Sequence, residues 1–206
     1  MNYDYADKVI RDMNKRNLRA FDRIKTLKFD ELNVFRTIKA IYETSIQLAK
    51  KRYKQIAEDA YIEALILCGF SREEAEEKAE DTITDDWILD MLEEYNALTL
   101  YSFLTEAERK EQRTAEAVLA AQDKAFEVDK ALRYWTLQVV QYAEFSVLEA
   151  TMQGYRDAGV KKVRWEAEND ERVCSVCIKR NGKVYPIDKV PPIPHWRCRC
   201  LIWPVQ

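Results

Sequence analysis

The first third of this 206-residue chain lacks both glycine and proline. Neither residue occurs between Met1 and Cys68, and the whole chain contains only four glycines. Glycine and proline are the residues that most often end or bend a helix, so their absence predicts long helices here. The helical part of the sequence also has no glycine-rich loop of the kind that binds nucleotide phosphates.

Long apolar runs and a signal sequence are lacking as well. The longest apolar stretches are only a few residues, which is too short for a transmembrane helix. The start of the chain has neither the basic region nor the apolar core of a signal peptide. We therefore expect an intracellular protein without a membrane partner. In that environment, closely spaced cysteines more often bind metal or react than form structural disulfides.

Apolar residues recur at steps of three and four between Phe35 and Leu67. This spacing predicts one amphipathic helix of about ten turns or more. Gly69 follows as a suitable helix C-cap. The expected buried stripe consists of Phe35, Ile38, Tyr42, Ile46, Ala49, Tyr53, Ile56, Ala60, Ala64 and Leu67.

Two segments match the capping box that opens a helix. They are residues 71–74 (Ser-Arg-Glu-Glu) and 105–108 (Thr-Glu-Ala-Glu). The second predicts a single long helix that frays at Gly154 and stops at Gly159. The region up to residue 158 is thus predicted to be all-helical, with four or five helices. The buried face of the last of them is predicted to contain Leu132, Trp135, Val139, Ala143, Ser146 and Ala150.

The pattern changes after residue 159. Val163, Trp165 and Ala167 alternate with charged residues, which predicts a strand. The dipeptide Asn181-Gly182 predicts a type I′ hairpin turn between strands at residues 176–179 and 183–185. Residues 200–203 predict a closing strand.

These patterns predict an α+β protein with a helical region at residues 1–158 and a small β, Cys/His-rich module at residues 159–206. A module of about 45 residues buries little core by itself and would benefit from a metal ion that links its segments.

Four of the five cysteines and the only histidine lie in this module. Zinc prefers four thiolate and imidazole ligands in a tetrahedron. The module offers five donors for these four places, so one donor is expected to lie outside the coordination sphere. The spacing favours Cys174, Cys177, His195 and one of the last two cysteines, with Cys200 slightly preferred. The five candidates are Cys174, Cys177, His195, Cys198 and Cys200.

Other uses of these residues are open to the sequence. Disulfides would require an oxidising compartment, and a thioredoxin-type pair would require a βαβ context, which is missing. An enzyme could pair His195 with Cys198 or Cys200 as a nucleophilic dyad. That use would leave the other cysteines without a role, so a structural zinc site is preferred and catalysis is not expected.

The module is also basic. Residues 160–206 carry ten lysines and arginines against five acidic residues. Such a bias allows a zinc-ribbon-like module that binds nucleic-acid phosphates. The candidate contacts are Lys161, Lys162, Arg164, Lys179, Arg180, Arg197 and Arg199.

Four motifs occur in order in the C-terminal region: Asp170-Glu171-Arg172-Val173-Cys174-x-x-Cys177, Gly182-Lys183-Val184-Tyr185, Pro191-Pro192, and His195-x-x-Cys198-Arg199-Cys200. This ordered set resembles the phage Mu F-type head morphogenesis domain, a family of minor head proteins of tailed bacteriophages. The resemblance covers roughly residues 100–204, and the specific motif residues lie within 165–200.

The resemblance implies a structural virion protein that associates with the portal vertex, and it implies no well-established enzymatic activity. The implied partners are the portal protein, capsid or scaffolding protein, and DNA bound without sequence specificity; no small-molecule substrate is implied. The implied roles are head morphogenesis, DNA packaging or DNA delivery. The implied location is the head interior or portal vertex, after assembly in the host cytoplasm.

Overall fold

The structure is a computed structural model that describes residues 4–25, 31–94, 96, 100–168, 170–196 and 198–205. Of residues 4–7, 21, 23–25, 31 and 32 it describes the backbone alone. Within these residues, seven α-helices and one three-stranded antiparallel sheet confirm the predicted α+β class.

Six helices precede the sheet, and the seventh lies between its strands. The helices are α1 (Asp4–Lys25), α2 (Glu31–Leu67), α3 (Arg72–Thr82), α4 (Asp85–Glu93), α5 (Phe103–Ala120), α6 (Lys124–Asp157) and α7 (Ser175–Arg180). The strands are β1 (Lys162–Glu166), β2 (Val184–Pro186) and β3 (Leu201–Val205), and a 3-10 turn covers Ile187–Lys189. None of the helices in the described part of the chain is long and apolar enough to cross a membrane.

The chain forms two compact units. Residues 2–53 and 89–143 make up the N-terminal unit, and residues 54–88 and 144–206 make up the C-terminal unit. Helices α2 and α6 contribute residues to both units. The sequence-based domain boundary at residues 158/159 stays a prediction.

The N-terminal unit has an aromatic core. The Trp135 ring lies 5.2 Å from the ring centres of both Tyr42 and Phe103. The Trp135 indole N–H donates to Ser45 Oγ at 2.6 Å, so the polar atom of this fully buried side chain is paired. Because buried aromatic rings remove large apolar areas from water, this cluster contributes much of the unit's stability.

The long helices follow the predicted periodicity. Helix α2 spans 37 residues, and its predicted stripe is buried along most of its length. Ile46 is only half-buried, and the two ends of the stripe are exposed, since Phe35 is 39% and Leu67 is 50% exposed. All six residues predicted for the buried face of α6 are buried.

One predicted capping box is confirmed and the other is wrong. Ser71 caps α3, and its hydroxyl and backbone N–H both contact the Glu74 side chain, as predicted. Helix α5 begins three residues earlier than expected. Its N-cap is Ser102, whose hydroxyl accepts the backbone N–H of Thr105 at 3.2 Å. Thr105 is therefore already inside the helix.

The single long helix predicted from residue 105 to about 158 is two helices. Helix α5 ends at Ala120, and the Asp123 carboxylate accepts the backbone N–H of Phe126 at 3.0 Å where α6 begins. A carboxylate at a helix start satisfies a free amide and interacts favourably with the helix dipole. With this break, the described residues before 158 form six helices instead of the predicted four or five.

Gly154 does not mark a fraying helix end, as the sequence had suggested. It lies inside α6, where an added Cβ would be 2.8 Å from Ala64 Cβ and 3.0 Å from the Tyr61 carbonyl oxygen. The glycine therefore allows the backbone of α6 to approach α2 closely within the C-terminal unit. Gly159, with φ of +76°, follows the helix end, which confirms that part of the prediction.

Strand β1 is the centre of the sheet, and both β2 and β3 pair with it in antiparallel orientation. Val163 and Trp165 point into the core while Lys162, Arg164 and Glu166 are exposed, so the predicted alternation is confirmed. The predicted closing strand is confirmed as β3.

The predicted type I′ hairpin is wrong. Residues 176–179 belong to α7, not to a strand. Asn181 has φ −54° and ψ 130°, and Gly182 has φ +74°, which are the angles of a type II turn. The Lys183 N–H closes this turn by donating to the Arg180 carbonyl at 3.0 Å. An Asn-Gly pair fits a type I′ turn, in which both central residues have a positive φ. It also fits a type II turn, in which only the second central residue does.

Candidate metal centre

The first two candidate ligands lie at the start of α7. Cys174 is the N-cap of this helix, and its Sγ accepts the backbone N–H of Cys177 at 3.3 Å. This hydrogen bond, together with one from the Val176 N–H, lowers the pKa of the Cys174 thiol to about 7. Backbone N–H groups that point at a sulfur favour its thiolate form, which is the form that binds metal.

The other three candidates lie on the segment that leads into β3. Cys177 Sγ is 3.6 Å from His195 Nε2 and 3.6 Å from Cys198 Sγ. His195 Nδ1 lies 2.8 Å from the Trp196 carbonyl oxygen. A carbonyl oxygen can only accept, so Nδ1 donates in this contact; in the neutral imidazole, Nε2 is then the nitrogen with the lone pair that a metal ion needs.

The five donors form two triples that share Cys177. One is Cys174, Cys177 and His195, and the other is Cys177, Cys198 and Cys200. Within each triple, all donor atoms lie within 4.8 Å of one another. In a tetrahedral zinc site, two thiolates are about 3.8 Å apart and a thiolate and an imidazole nitrogen about 3.6 Å apart, given the usual bond lengths. The two 3.6 Å contacts of Cys177 fit these values.

The cluster is largely shielded from solvent. Cys177, Cys198 and Cys200 are 1%, 5% and 7% exposed. Burial raises the pKa of the Cys177 thiol well above its ordinary value and that of Cys198 to about 11. A divalent cation would reverse this preference, because a coordinating thiol loses its proton to the metal. The residues of the cluster could therefore hold a metal ion of the zinc type.

An ion pair fixes the loop between Cys198 and Cys200. Arg199 Nη1 and Nη2 donate to the two carboxylate oxygens of Asp170 at 2.6 and 2.7 Å. These hydrogen bonds lower the pKa of Asp170 to about 2. Glu168 lies 3.8 Å from the same guanidinium. The sequence contained Asp170 within a motif, but no local pattern indicated that it pairs with a residue 29 positions away.

The basic residues predicted to contact nucleic acid differ in their surroundings. Arg199 is engaged with Asp170, and Arg180 donates to the Pro192 carbonyl at 2.6 Å and stacks 4.9 Å from the Trp165 ring centre. Arg197 lies outside the described residues. The four others, which are exposed, are Lys161, Lys162, Arg164 and Lys179.

A buried tyrosine links this region to α6. The Tyr155 hydroxyl donates to the Ile202 carbonyl in β3 at 3.1 Å. Tyr155, Trp165 and Ile202 belong to the same core cluster as the buried cysteines. The fifth cysteine, Cys68, packs against this core but is not among the candidate metal ligands. The helical pattern indicated that Tyr155 lies near the end of a helix, yet nothing in the sequence indicated its partner.

The fold and the site together define a mainly helical α+β protein with a C-terminal sheet and a cluster of cysteine and histidine donors. The family model described as phage Mu protein F like protein matches residues 62–203 of the chain. The chain therefore belongs to the phage Mu protein F-like family, and the resemblance inferred from residues 165–200 is confirmed. The match begins well before residue 100, where the motif-based resemblance started.

Family membership makes this a phage head morphogenesis protein that interacts with other head proteins and is associated with the virion. Neither the curated proteins nor the solved structures contain a match to the chain.

Proposed function

We propose that this protein is a structural minor head protein that binds at the portal vertex and acts in head morphogenesis, DNA packaging or DNA delivery. We further propose that its cluster holds one zinc ion that stabilises the C-terminal module. The observation that carries the proposal is the convergence of five donors in a chain matched by the Mu F-like family over residues 62–203.

The surroundings of the cluster support a structural role over a catalytic one. Structural zinc sites are closed by four protein ligands, whereas catalytic sites leave a position for water or substrate. Here the protein offers more donors than one zinc ion needs, and three of them are buried. A nucleophilic dyad of His195 with Cys198 or Cys200 would need a thiol that a substrate can reach. We therefore propose that the protein is not an enzyme.

The hydrogen bonds favour Cys198 over Cys200 as the fourth ligand. The backbone N–H of Cys200 donates to Cys198 Sγ, as the Cys177 N–H donates to Cys174 Sγ. Cys198 Sγ also contacts Cys177 Sγ at 3.6 Å. Donors of this kind stabilise a bound thiolate. We therefore propose coordination by Cys174, Cys177, His195 and Cys198, with Cys200 supporting the site, although the sequence slightly preferred Cys200.

Portal binding can be tested by co-expressing the chain with the portal protein of the same phage. We expect the two to co-purify and the chain to be detected in purified virions by mass spectrometry. The proposal has two parts, portal binding and a zinc ion in the C-terminal module. Repeating the co-purification with a zinc chelator tests whether the first depends on the second. Absence from virions together with failure to co-purify would contradict the proposed location.

A second candidate function is non-specific binding of nucleic acid by the exposed face of the sheet. Residues opposite each other on neighbouring strands share a face, and Arg164 is opposite both Val184 and Trp203. Lys162 is on the same face, so two cations lie beside apolar and aromatic surface. Basic and aromatic side chains together are typical of surfaces that bind single strands.

The test is the affinity for a fluorescent oligonucleotide at increasing salt. We expect affinity to fall steeply with salt, and the double variant Lys162→Gln/Arg164→Gln to bind more weakly with a smaller salt slope. Lys78→Gln, which removes one exposed positive charge from acidic helix α3, is the control for a charge lost elsewhere on the surface. No binding at low salt would remove this candidate.

A further inference from the structure

The N-terminal unit contains a cavity of about 530 Å³. Residues of α1, α2 and α6 line it. Pockets for small ligands usually have volumes of about 300 to 1,000 Å³, so this one is large enough for a small organic molecule. Its apolar lining includes the buried side chains Met13, Ala20 and Leu132.

All charged residues that line the cavity are arginines. They are Arg16 and Arg19 from α1 and Arg36 from α2, and no acidic residue of the described part of the chain lines it with them. Arg16 makes one long hydrogen bond, from Nη1 to the Thr44 carbonyl at 3.4 Å. Arg19 and Arg36 make no hydrogen bond or ion pair with the residues that the structure describes. Three cations thus meet at one cavity, and no carboxylate of the described residues pairs with them.

Three of the four uncharged polar side chains of the lining, those of Asn17, Thr44 and Ser45, already have partners within the protein; the fourth is Thr37. Ser45 Oγ accepts the Trp135 indole N–H at 2.6 Å, and Asn17 Nδ2 donates to Thr136 Oγ1 at 2.9 Å. The guanidinium groups are therefore the main donors left for a ligand. Each guanidinium has a planar set of N–H donors that matches carboxylate and phosphate oxygens in pairs.

We propose that this cavity is a binding site for a phosphate ester with an apolar or aromatic body, the chemistry of a nucleotide. A carboxylate carries one negative charge and would leave two of the three arginines uncompensated. A phosphate group carries up to two charges and three acceptor oxygens, so it can engage several guanidiniums at once. The apolar lining formed by Met13, Ala20 and Leu132 would accept the rest of the molecule. The nucleotide is either free or part of a nucleic-acid strand.

The test uses the 206-residue chain as purified and measures binding by calorimetry. The probes are ADP, a 12-nucleotide oligothymidylate and, as an anion of similar charge without phosphorus, citrate. Arg19→Gln and Arg36→Gln remove exposed side chains without internal partners, so both variants are expected to fold. Lys15→Gln is the matched control, because it removes one exposed positive charge from α1 outside the cavity lining.

We expect each arginine variant to weaken binding of the preferred probe by at least about tenfold, the usual effect of losing a hydrogen bond to a charged group. The affinity of Lys15→Gln should stay within about twofold of that of the unchanged protein, because an exposed charge outside the cavity contributes little. Tighter binding of ADP would identify a free nucleotide as the source, and tighter binding of the oligonucleotide would identify a strand. Equal losses in all three variants, no binding of either phosphate probe, or equally tight binding of citrate would overturn the proposal. Circular dichroism of each variant confirms that it is folded.

Discussion

Cys177 is the donor shared by both triples, so its replacement is the most informative change to the proposed zinc site. In Cys177→Ala, each triple keeps only two donors. Structural zinc sites have apparent binding free energies of about 10 to 16 kcal/mol, or about 3 kcal/mol for each of four ligands. We therefore expect zinc affinity to fall by at least about 100-fold. Competition with a chromophoric chelator measures this change, and elemental analysis of the unchanged protein should find about one zinc per chain.

The number of protons released on zinc binding is a second, independent test of the proposed zinc site. At pH 8 the Cys174 thiol is already largely ionised, because its pKa is lowered to about 7. Cys177 and Cys198 keep their protons, since burial raises both pKa values. Zinc binding at this pH should therefore release about two protons, which titration in weakly buffered solution can count. At lower pH all three thiols are protonated and zinc affinity should decrease.

Two further cysteine variants serve as comparisons. Cys198→Ala should lose affinity as Cys177→Ala does, whereas Cys200→Ala should retain zinc with a smaller loss. Cys68→Ala, outside the cluster, should bind zinc as the unchanged protein does. Full affinity in Cys177→Ala, or protein purified without any bound metal, would refute the zinc site. Equal losses in Cys198→Ala and Cys200→Ala would refute the choice of ligand.

Three other changes test the C-terminal unit. Gly154→Ala should lower the free energy of unfolding by about 1 to 3 kcal/mol through overpacking against Ala64, as measured in urea; a more stable variant would contradict the close approach. Tyr155→Phe should cost about 1 kcal/mol through loss of the bond to Ile202, and unchanged stability would show that this bond contributes nothing. The folded pKa of Asp170, about 2, is below its ordinary 3.8, so the ion pair should contribute stability above about pH 4 that is lost towards pH 2. Asp170→Asn should remove this part of the acid dependence, and an unchanged pH profile would count against it.

The parts of the fold that follow from local periodicity were predictable from the sequence. The stripe of α2 and the buried face of α6 were recognised because a helix repeats every 3.6 residues over many turns. The break between α5 and α6 was missed because it contains neither glycine nor proline, so Asp123 lies inside an otherwise helical pattern. The start of α5 was misplaced because Ser102 and Thr105 are both acceptable N-caps.

The site was predictable in its composition but not in its detail. The sequence offered five candidate donors for four places, and the structure brings them together in two triples that share Cys177. The choice among them depends on backbone N–H groups and on the ion pair of Arg199 with Asp170, which only the folded chain brings together. The cavity with Arg16, Arg19 and Arg36 was missed for the same reason, because its cations come from two helices.

The order of the strands places β2 and β3 at the edges of the sheet, where another chain could add a strand. Both outer strands are poor templates for another chain: β2 has three residues and ends in Pro186, and β3 contains Pro204. Proline cannot donate a ladder hydrogen bond, and short edges offer few unpaired groups. Among the other proteins of an assembling phage head, the sheet is therefore protected against edge-to-edge aggregation.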